Sequence, residues 1–134
     1  MRVYLDGVFD MFHVGHLRAI QHCATLGDVI IGVISDEDAA HYKRMPTIPE
    51  DDRAAILEAL SSVHTVIRHP PLVLTAAFMA EQAIDLVVHG FSDADDEAAQ
   101  ADLFRVPREM GKFRAIAYHH GVSTTQIRQK LAES

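Results

Sequence analysis

Short apolar segments alternate along the chain with segments that carry apolar residues on one helical face. The apolar segments have the length of buried strands and lie at residues 2–5, 28–35, 63–67, 84–88 and 113–118. Between the first two, Leu17, Ile20 and Ala24 recur at helical spacing, and Gly27 ends the repeat. The pattern predicts five strands separated by helices.

Capping and breaking residues indicate where the other helices begin. Pro49 is followed by acidic residues, whose charge suits the positive end of a helix dipole, so a helix is predicted from there through residue 60. Thr75 is a suitable cap for a helix through residue 82. Ser123 begins a last helix, with Ile127 and Leu131 on its apolar side.

Two polar segments are predicted as loops. Residues 36–49 combine basic residues with prolines and contain few candidates for the core. Residues 93–102 are strongly acidic and contain no basic residue, which favours a solvated loop or lid.

Strands alternating with helices predict an α/β fold: a single doubly wound, Rossmann-like domain over residues 1–134 with a five-stranded parallel sheet. A chain of 134 residues with 49% hydrophobic residues is long enough for one domain with a sizeable core. In such sheets, ligands bind beyond the carboxyl ends of the strands, where the strand order reverses. His89 and Gly90 follow the fourth strand and are therefore expected near the site.

Composition narrows the classes of partner. The net charge of −7 argues against a nucleic-acid or anionic-membrane binder, because such proteins neutralise phosphates with Lys and Arg. No apolar run approaches the roughly 18 residues of a membrane helix, and acidic residues interrupt the N-terminus where a signal peptide would be apolar. The single cysteine, Cys23, fits a reducing cytoplasm and a place in the core. Any bound phosphate must be held by a local cluster of side chains.

The segment GVFDMFHVGH, residues 7–16, is the clearest functional signal. It lies between the first strand and the first helix, where unpaired N–H groups and the helix dipole favour an anion. Gly7 and Gly15 allow close approach of the backbone, and the spacing of His13 and His16 allows both to face one site. A structural zinc site is not indicated, because no quartet of Cys and His residues lies nearby.

A second phosphate signal is GVSTTQIR, residues 121–128. Ser123, Thr124 and Thr125 place three hydroxyl groups at the predicted start of the last helix, although an ordinary cap needs only one. Together with His13 and His16 at the other end of the chain, these hydroxyls indicate a two-sided site for a polyphosphate.

Together these motifs resemble the cytidylyltransferase family of the nucleotidyltransferase superfamily, which has a His-x-Gly-His signature and a late Ser-Thr-rich helix start. The resemblance covers nearly the whole chain and includes YLDGVFDMFHVGHLRA, the Lys43 loop followed by PEDDR, HPPLVLTAAFMAEQAIDLVVHG and the GVSTTQI segment. It implies attack by a phosphate oxygen of a small acceptor on the α-phosphorus of CTP, with release of pyrophosphate. Mg²⁺ is expected to accompany the CTP, with no dedicated carboxylate cage.

The resemblance also implies roles for individual residues. His13, His16 and Lys43 are the implied catalytic residues, Asp10 orients the first motif, and Arg53 binds a phosphate. The implied nucleotide-binding residues are Gly7, Val8, Phe9, Asp10, Gly15, His89, Gly90, Tyr118, Gly121, Val122, Ser123, Thr124, Thr125 and Arg128. The implied acceptor-binding residues are Asp6, Arg53, Leu72 and Phe104.

The chain departs from the family pattern at several positions. Where the family has arginine in RTEGIST, this chain has Tyr118 and two histidines, with Arg114, Lys112 and Arg128 as candidate substitutes. The choline enzymes surround the quaternary ammonium with aromatic rings, whereas the matching places here hold Leu72 and Phe104. The acceptor is therefore expected to be smaller, such as phosphoethanolamine, glycerol phosphate or a hydroxyalkyl phosphonate.

Two further readings of the motifs stay open. Arg128 follows the Ser-Thr segment as in adenylyltransferases, which leaves ATP as an alternative nucleotide. Because the arginine of the family pattern is missing, the second alternative is a nucleotide-binding module with weak catalysis. A homodimer is compatible with the resemblance, although the family's RYVDE contact pattern is SSVHT here at residues 61–65.

Overall fold

One parallel sheet organises the computed structural model, which describes residues 1–117 and 124–133. The strands are β1 (Arg2–Gly7), β2 (Asp28–Val33), β3 (Val63–Arg68), β4 (Leu86–Phe91) and β5 (Phe113–Ala117). Their order in the sheet is β3-β2-β1-β4-β5, and all pairs are parallel. The predicted α/β fold with a five-stranded parallel sheet is confirmed.

Helices connect the strands and cover the sheet. They are α1 (Val14–Ala24), α2 (Asp36–Tyr42), α3 (Glu50–Glu58), α4 (Ala76–Glu81), α5 (Ala94–Ala99), α6 (Arg105–Glu109) and α7 (Thr124–Glu133), with a short 3-10 helix at Ala101–Phe104 before α6. Among the described residues, no helix combines the length and apolar character that crossing a bilayer requires.

The core consists of two apolar clusters, because successive side chains along a strand point to opposite faces of the sheet. Val3 and Leu5 of β1 belong to the cluster that includes Ile20 of α1, whereas Tyr4 belongs to the cluster with Phe78 of α4. Successive side chains of a strand point to opposite faces, so β1 is apolar almost throughout because both of its faces are covered.

The two segments predicted as loops are partly helical. Residues 36–42 form α2, because the hydroxyl of Ser35 accepts the N–H of Asp38 at 3.1 Å and three acidic residues follow in the first turn. Residues 94–99 form α5, where the Asp93 carboxylate accepts the N–H of Asp96 at 2.8 Å. Both loop predictions are wrong over these residues, because Ser35 and Asp93 cap a helix within each polar segment.

The order of the strands places a crevice at the carboxyl end of β1. The chain moves outward from β1 to β2 and β3, and then returns to β4 on the other side of β1. The connections after β1 and β4 therefore diverge to opposite sides and leave an opening between them. The first motif follows β1 and so lies at this opening.

Candidate active site

A cleft of about 1030 Å³ opens at the carboxyl ends of β1 and β4. It brings together eleven of the residues predicted from the sequence: Asp6, Gly7, Val8, Phe9, Asp10, His13, Gly15, His16, Lys43, His89 and Gly90. The cleft is also lined by polar residues that sequence reasoning missed, which are Arg18, His22, Arg44, Ser92, Asp96 and Gln100. A protein of negative net charge thus concentrates basic and imidazole groups in one concavity.

The two motif histidines form the N-terminal cap of α1. His13 is the N-cap, and its Nδ1 accepts the N–H of Gly15 at 3.1 Å. His16 reaches back, and its Nδ1 accepts the N–H of His13 at 3.3 Å. This reciprocal pair is a capping box built from imidazoles instead of the usual hydroxyl and carboxylate.

The capping bonds also set the chemistry of both imidazoles. Because each Nδ1 accepts a backbone N–H, the ring proton of each neutral histidine is carried on Nε2. The two rings stack with centroids 3.8 Å apart and an interplanar angle of 22°. His13 and His16 therefore present neighbouring N–H donors on rings whose orientation the helix cap fixes.

The turn before α1 has an uncommon backbone shape. Phe9 and Met11 have φ angles of 54° and 48°, in the left-handed region that side chains other than glycine rarely adopt. Gly7 is needed beneath it, because a Cβ at that position would lie 3.1 Å from the Phe9 ring. Phe9 is buried and its ring packs edge-on against His16, with centroids 5.4 Å apart. The turn thereby supports the His16 ring from behind.

His16 stays neutral over the physiological range of pH. Burial lowers its pKa from 6.5 to about 3, and the nearby charges of His13 and Lys43 act in the same direction while Asp10 opposes them. A neutral imidazole at this place donates a hydrogen bond without carrying a full charge.

Acid is expected to destabilise the fold through His16. In the unfolded chain the His16 imidazole binds a proton near pH 6.5, whereas in the folded protein it does so only near pH 3. The stability that His16 contributes is therefore fully present above pH 6.5 and is lost as the pH falls from 6.5 to 3. Over this range the free energy of unfolding should change with pH by at most about 1.4 kcal/mol per pH unit because of this one group. Urea unfolding of a His16→Asn variant should show a flatter pH dependence between pH 6.5 and 5 than the wild type. Equal slopes would contradict this assignment.

Asp10 joins the first motif to the loop that carries Lys43. Its carboxylate accepts the N–H groups of Thr47 and Ile48, each at 2.9 Å. Burial alone would raise the pKa of Asp10, but these two hydrogen bonds and the charge of Arg53 lower it below its usual value. Asp10 is therefore an ionised anchor for the loop at residues 43–49.

Lys43 reaches the cleft from the end of α2. It is solvent-accessible at the mouth of the cleft, where partial desolvation lowers its pKa, and Asp96 and Asp6 offset part of that effect. Lys43 thus faces carboxylates across the cleft.

Arg53 does not line the cleft. It is 1% exposed, and its guanidinium donates to the carbonyl oxygens of Ile48, Val8 and Ile34 at 2.9, 2.6 and 2.9 Å. It also forms an ion pair of 2.6 Å with Asp36. This ionic partner is at the start of α2 and not among the acidic residues of the helix that carries Arg53. Arg53 fixes the strand ends and the loop behind the site.

A carboxylate-rich wall lines the cleft at the ends of β1 and β4. Asp6 and His89 approach each other, with Oδ1 and Nδ1 3.2 Å apart, and neither buried atom has a hydrogen-bond partner among the described residues. Asp96 of α5 also lines the cleft, and it accepts the N–H of Ser92 at 3.0 Å and the amide of Gln100 at 2.8 Å. Burial opposes ionisation of Asp96, but those hydrogen bonds and Lys43 lower its pKa.

A basic wall lines the α1 side of the cleft. Arg114 pairs in register with Val88 of β4, which belongs to the apolar cluster on the α1 face of the sheet. Arg18 and His22, one helical turn apart on α1, line the same cleft. None of the three makes an ion pair with any described residue. The cleft therefore has hydrogen-bond donors on one side and carboxylates on the other.

Several predicted site residues lie elsewhere. Leu72 and Phe104 do not line the cleft, although the Phe104 ring contacts His89 with centroids 4.6 Å apart. Arg128 of α7 donates a hydrogen bond to the Thr47 hydroxyl. Tyr118, Gly121, Val122 and Ser123 lie outside the described residues, and for Thr124 and Thr125 the structure describes only their place at the start of α7.

Within residues 1–117 and 124–133, no three His, Cys, Asp or Glu side chains come together as a metal site.

Comparison with known proteins gives one family for nearly the whole chain. The family model described as cytidylyltransferase-like matches residues 4–130. The chain is 35% identical over 135 residues to ethanolamine-phosphate cytidylyltransferase of Arabidopsis thaliana, an alignment that covers 95% of this chain and 31% of that protein. It is also 35% identical over 134 residues to choline-phosphate cytidylyltransferase A of Homo sapiens, covering 95% and 35%. The chain spans about a third of the length of these curated relatives.

A solved structure has the same fold. The crystal structure of the lipopolysaccharide core biosynthesis protein from Thermoplasma volcanium GSS1 superposes with a TM-score of 0.69 and 23% sequence identity, covering 89% of this chain and 96% of that one. At this identity the likeness supports the architecture alone.

Proposed function

The chain belongs to the cytidylyltransferase-like family, and from that membership we propose that it transfers CMP from CTP to phosphoethanolamine or a closely similar small acceptor. An oxygen of the acceptor phosphate attacks the α-phosphorus of CTP. A new P–O bond forms there as the bond to the β-phosphate breaks and pyrophosphate leaves. The observation that carries the proposal is one cleft that is lined by the stacked histidines, by Lys43 and by both basic and acidic side chains.

In this proposal the two histidines stabilise charge on the α-phosphate. Charge accumulates on its oxygens as the bonds exchange, and preoriented donors in a partly desolvated site stabilise that charge most. His13 and His16 supply the Nε2–H groups, and the α1 cap fixes their orientation before substrate arrives. Lys43 supplies a positive charge that balances the triphosphate.

The acidic wall favours an acceptor with a primary ammonium group. An ammonium N–H donates to carboxylates, and the carboxylate residues Asp6 and Asp96 both line the cleft. A quaternary ammonium has no N–H and is bound best by several aromatic rings. Of the described residues that line the cleft, Phe9 alone carries a benzene ring. These features support phosphoethanolamine over phosphocholine.

Mg²⁺ is proposed to enter with CTP and to screen the charge of the triphosphate. We further propose a cytoplasmic location, supported by the free, buried Cys23, and a homodimer, for which β3 offers an exposed sheet edge. Light scattering of the purified chain tests the dimer.

The proposed reaction is tested with CTP, Mg²⁺ and a panel of acceptors, with pyrophosphate release as the measurement. The panel contains phosphoethanolamine, phosphocholine, glycerol phosphate and hydroxyethylphosphonate, each assayed in parallel with CTP and with ATP. We expect release with CTP and phosphoethanolamine. A preference for ATP, which Arg128 leaves open, would make the chain an adenylyltransferase. Folded protein that binds CTP but releases no pyrophosphate would be a nucleotide-binding module.

An Asp96→Asn variant tests the acidic wall. Loss of one charge-assisted hydrogen bond is expected to raise the KM for phosphoethanolamine about tenfold. The KM for CTP and activity with glycerol phosphate, which has no ammonium group, should change little. Asp95→Asn, at an exposed position of the same helix, is the matched control. Equal effects of Asp96→Asn on both acceptors would contradict ammonium recognition.

A further inference from the structure

Three segments that carry candidate phosphate-binding groups meet at Thr47. The backbone N–H of Thr47 donates to Asp10 of the first motif at 2.9 Å, and its hydroxyl accepts a hydrogen bond from Arg128 of α7. Thr47 itself lies four residues after Lys43 in the loop at residues 43–49. Asp10, Thr47 and Arg128 are called the Thr47 junction below.

The Thr47 junction is rigid on one side. Asp10 also accepts the N–H of Ile48, and the carbonyl of Ile48 accepts a hydrogen bond from the buried Arg53. Arg53 in turn donates to Val8, in the first motif. The loop is therefore fixed to the end of β1 by hydrogen bonds that do not involve α7.

The other side of the Thr47 junction is an exposed hydrogen bond from α7. Among the described residues, Arg128 forms the hydrogen bond that joins α7 to this loop. Arg128 lies four residues after Thr124, about one helical turn from the start of α7. The contact thus joins the first turns of α7 to the loop that carries Lys43.

We propose that Thr47 and Arg128 are positioning residues for nucleotide binding, which act together by fixing the start of α7 against the Lys43 loop. The inference rests on the proposed function, because it assumes that Lys43 and the Ser-Thr segment bind one triphosphate. Arg128 acts through Thr47 and not by direct contact with the nucleotide. In keeping with this, it does not line the cleft in the described part of the chain.

A double-mutant cycle with Thr47→Val and Arg128→Gln tests this proposal. Thr47→Val removes the hydroxyl, and with it both the bond to Arg128 and the bond that the hydroxyl donates to Asp10, but it keeps the β-branched shape and the backbone N–H that donates to Asp10. Because both variants break the bond between Thr47 and Arg128, each should lower kcat/KM for CTP about three- to tenfold, and the double variant should be no worse than Thr47→Val alone. Thr47→Ser should restore most of the activity. Lys130→Gln, an exposed position of α7, is the charge-matched control and should behave as the wild type.

Each outcome of the cycle has a distinct meaning. An impaired Arg128→Gln variant with a normal Thr47→Val variant would show that Arg128 acts directly on the nucleotide and would overturn the proposal. Additive losses would overturn it as well, as would a change confined to the thermal unfolding midpoint. If the wild type binds CTP but releases no pyrophosphate, the proposed transfer is wrong. The positioning role is then tested by comparing the Kd for CTP among the wild type, the two single variants and the double variant.

Discussion

We expect a His16→Asn variant to transfer CMP about 10²- to 10³-fold more slowly than the wild type, the effect of removing one preoriented donor to a developing oxyanion. Asparagine can place an acceptor where Nδ1 lies, so it keeps the bond to the N–H of His13 that caps α1. It has no atom at the position of Nε2. The loss should therefore appear in kcat, measured as pyrophosphate release at saturating CTP and acceptor.

Two controls separate the lost donor from a damaged helix cap. His64→Asn makes the same substitution on β3, at a residue that does not line the cleft, and should leave the rate unchanged. His16→Ala removes both the donor and the capping acceptor, so it should be less stable than His16→Asn but similarly slow. A His16→Asn rate within threefold of the wild type would remove His16 from the catalytic residues.

Replacing Arg53 with methionine is expected to lower the free energy of unfolding by about 3–5 kcal/mol, as when one partner of a buried ion pair is removed. The substitution leaves three carbonyl oxygens and the Asp36 carboxylate without their donor. Urea denaturation measures the change. Arg53→Lys should recover part of the loss at most, because a single ammonium group cannot reach all four acceptors.

Arg68→Met is the matched control for Arg53. The Arg68 side chain is 44% exposed and pairs with Asp51 and Glu58 at the surface, so its removal should cost less than about 1 kcal/mol. Equal stability of the Arg53→Met variant and the wild type, together with a raised KM for the acceptor, would instead support the phosphate-binding role that the family resemblance implies.

The parts of the fold that follow from local patterns could be predicted from the sequence. All five strands were found, because apolar residues predominate in each segment and glycine, proline or polar residues bound it. The helix after Pro49 was found from its acidic first turn, and α2 has an equivalent signal in Ser35 and the acids that follow it. That second signal was overlooked because basic residues and prolines further along made the whole segment resemble a loop.

Long-range partners explain what the sequence could not provide. Nothing local distinguishes Arg53 from an exposed helical arginine, because its acceptors lie 5, 19 and 45 residues away in the chain. Asp96 was similarly hidden among acidic neighbours, although it alone of the five acids in residues 93–102 lines the cleft. Which member of a charged run faces inward depends on the rotation of α5, and that rotation is set by packing.

The neutrality of His16 also bears on how pyrophosphate departs. An imidazolium would attract the triphosphate and the released diphosphate about equally, and attraction of that kind slows the end of a catalytic cycle without lowering the barrier of the chemical step. A neutral donor contributes most when the oxygen opposite it gains charge, and it loosens once that charge has moved to the leaving group. In the proposed reaction, burial that keeps a proton off this ring would therefore favour the release of pyrophosphate and the start of the next turnover.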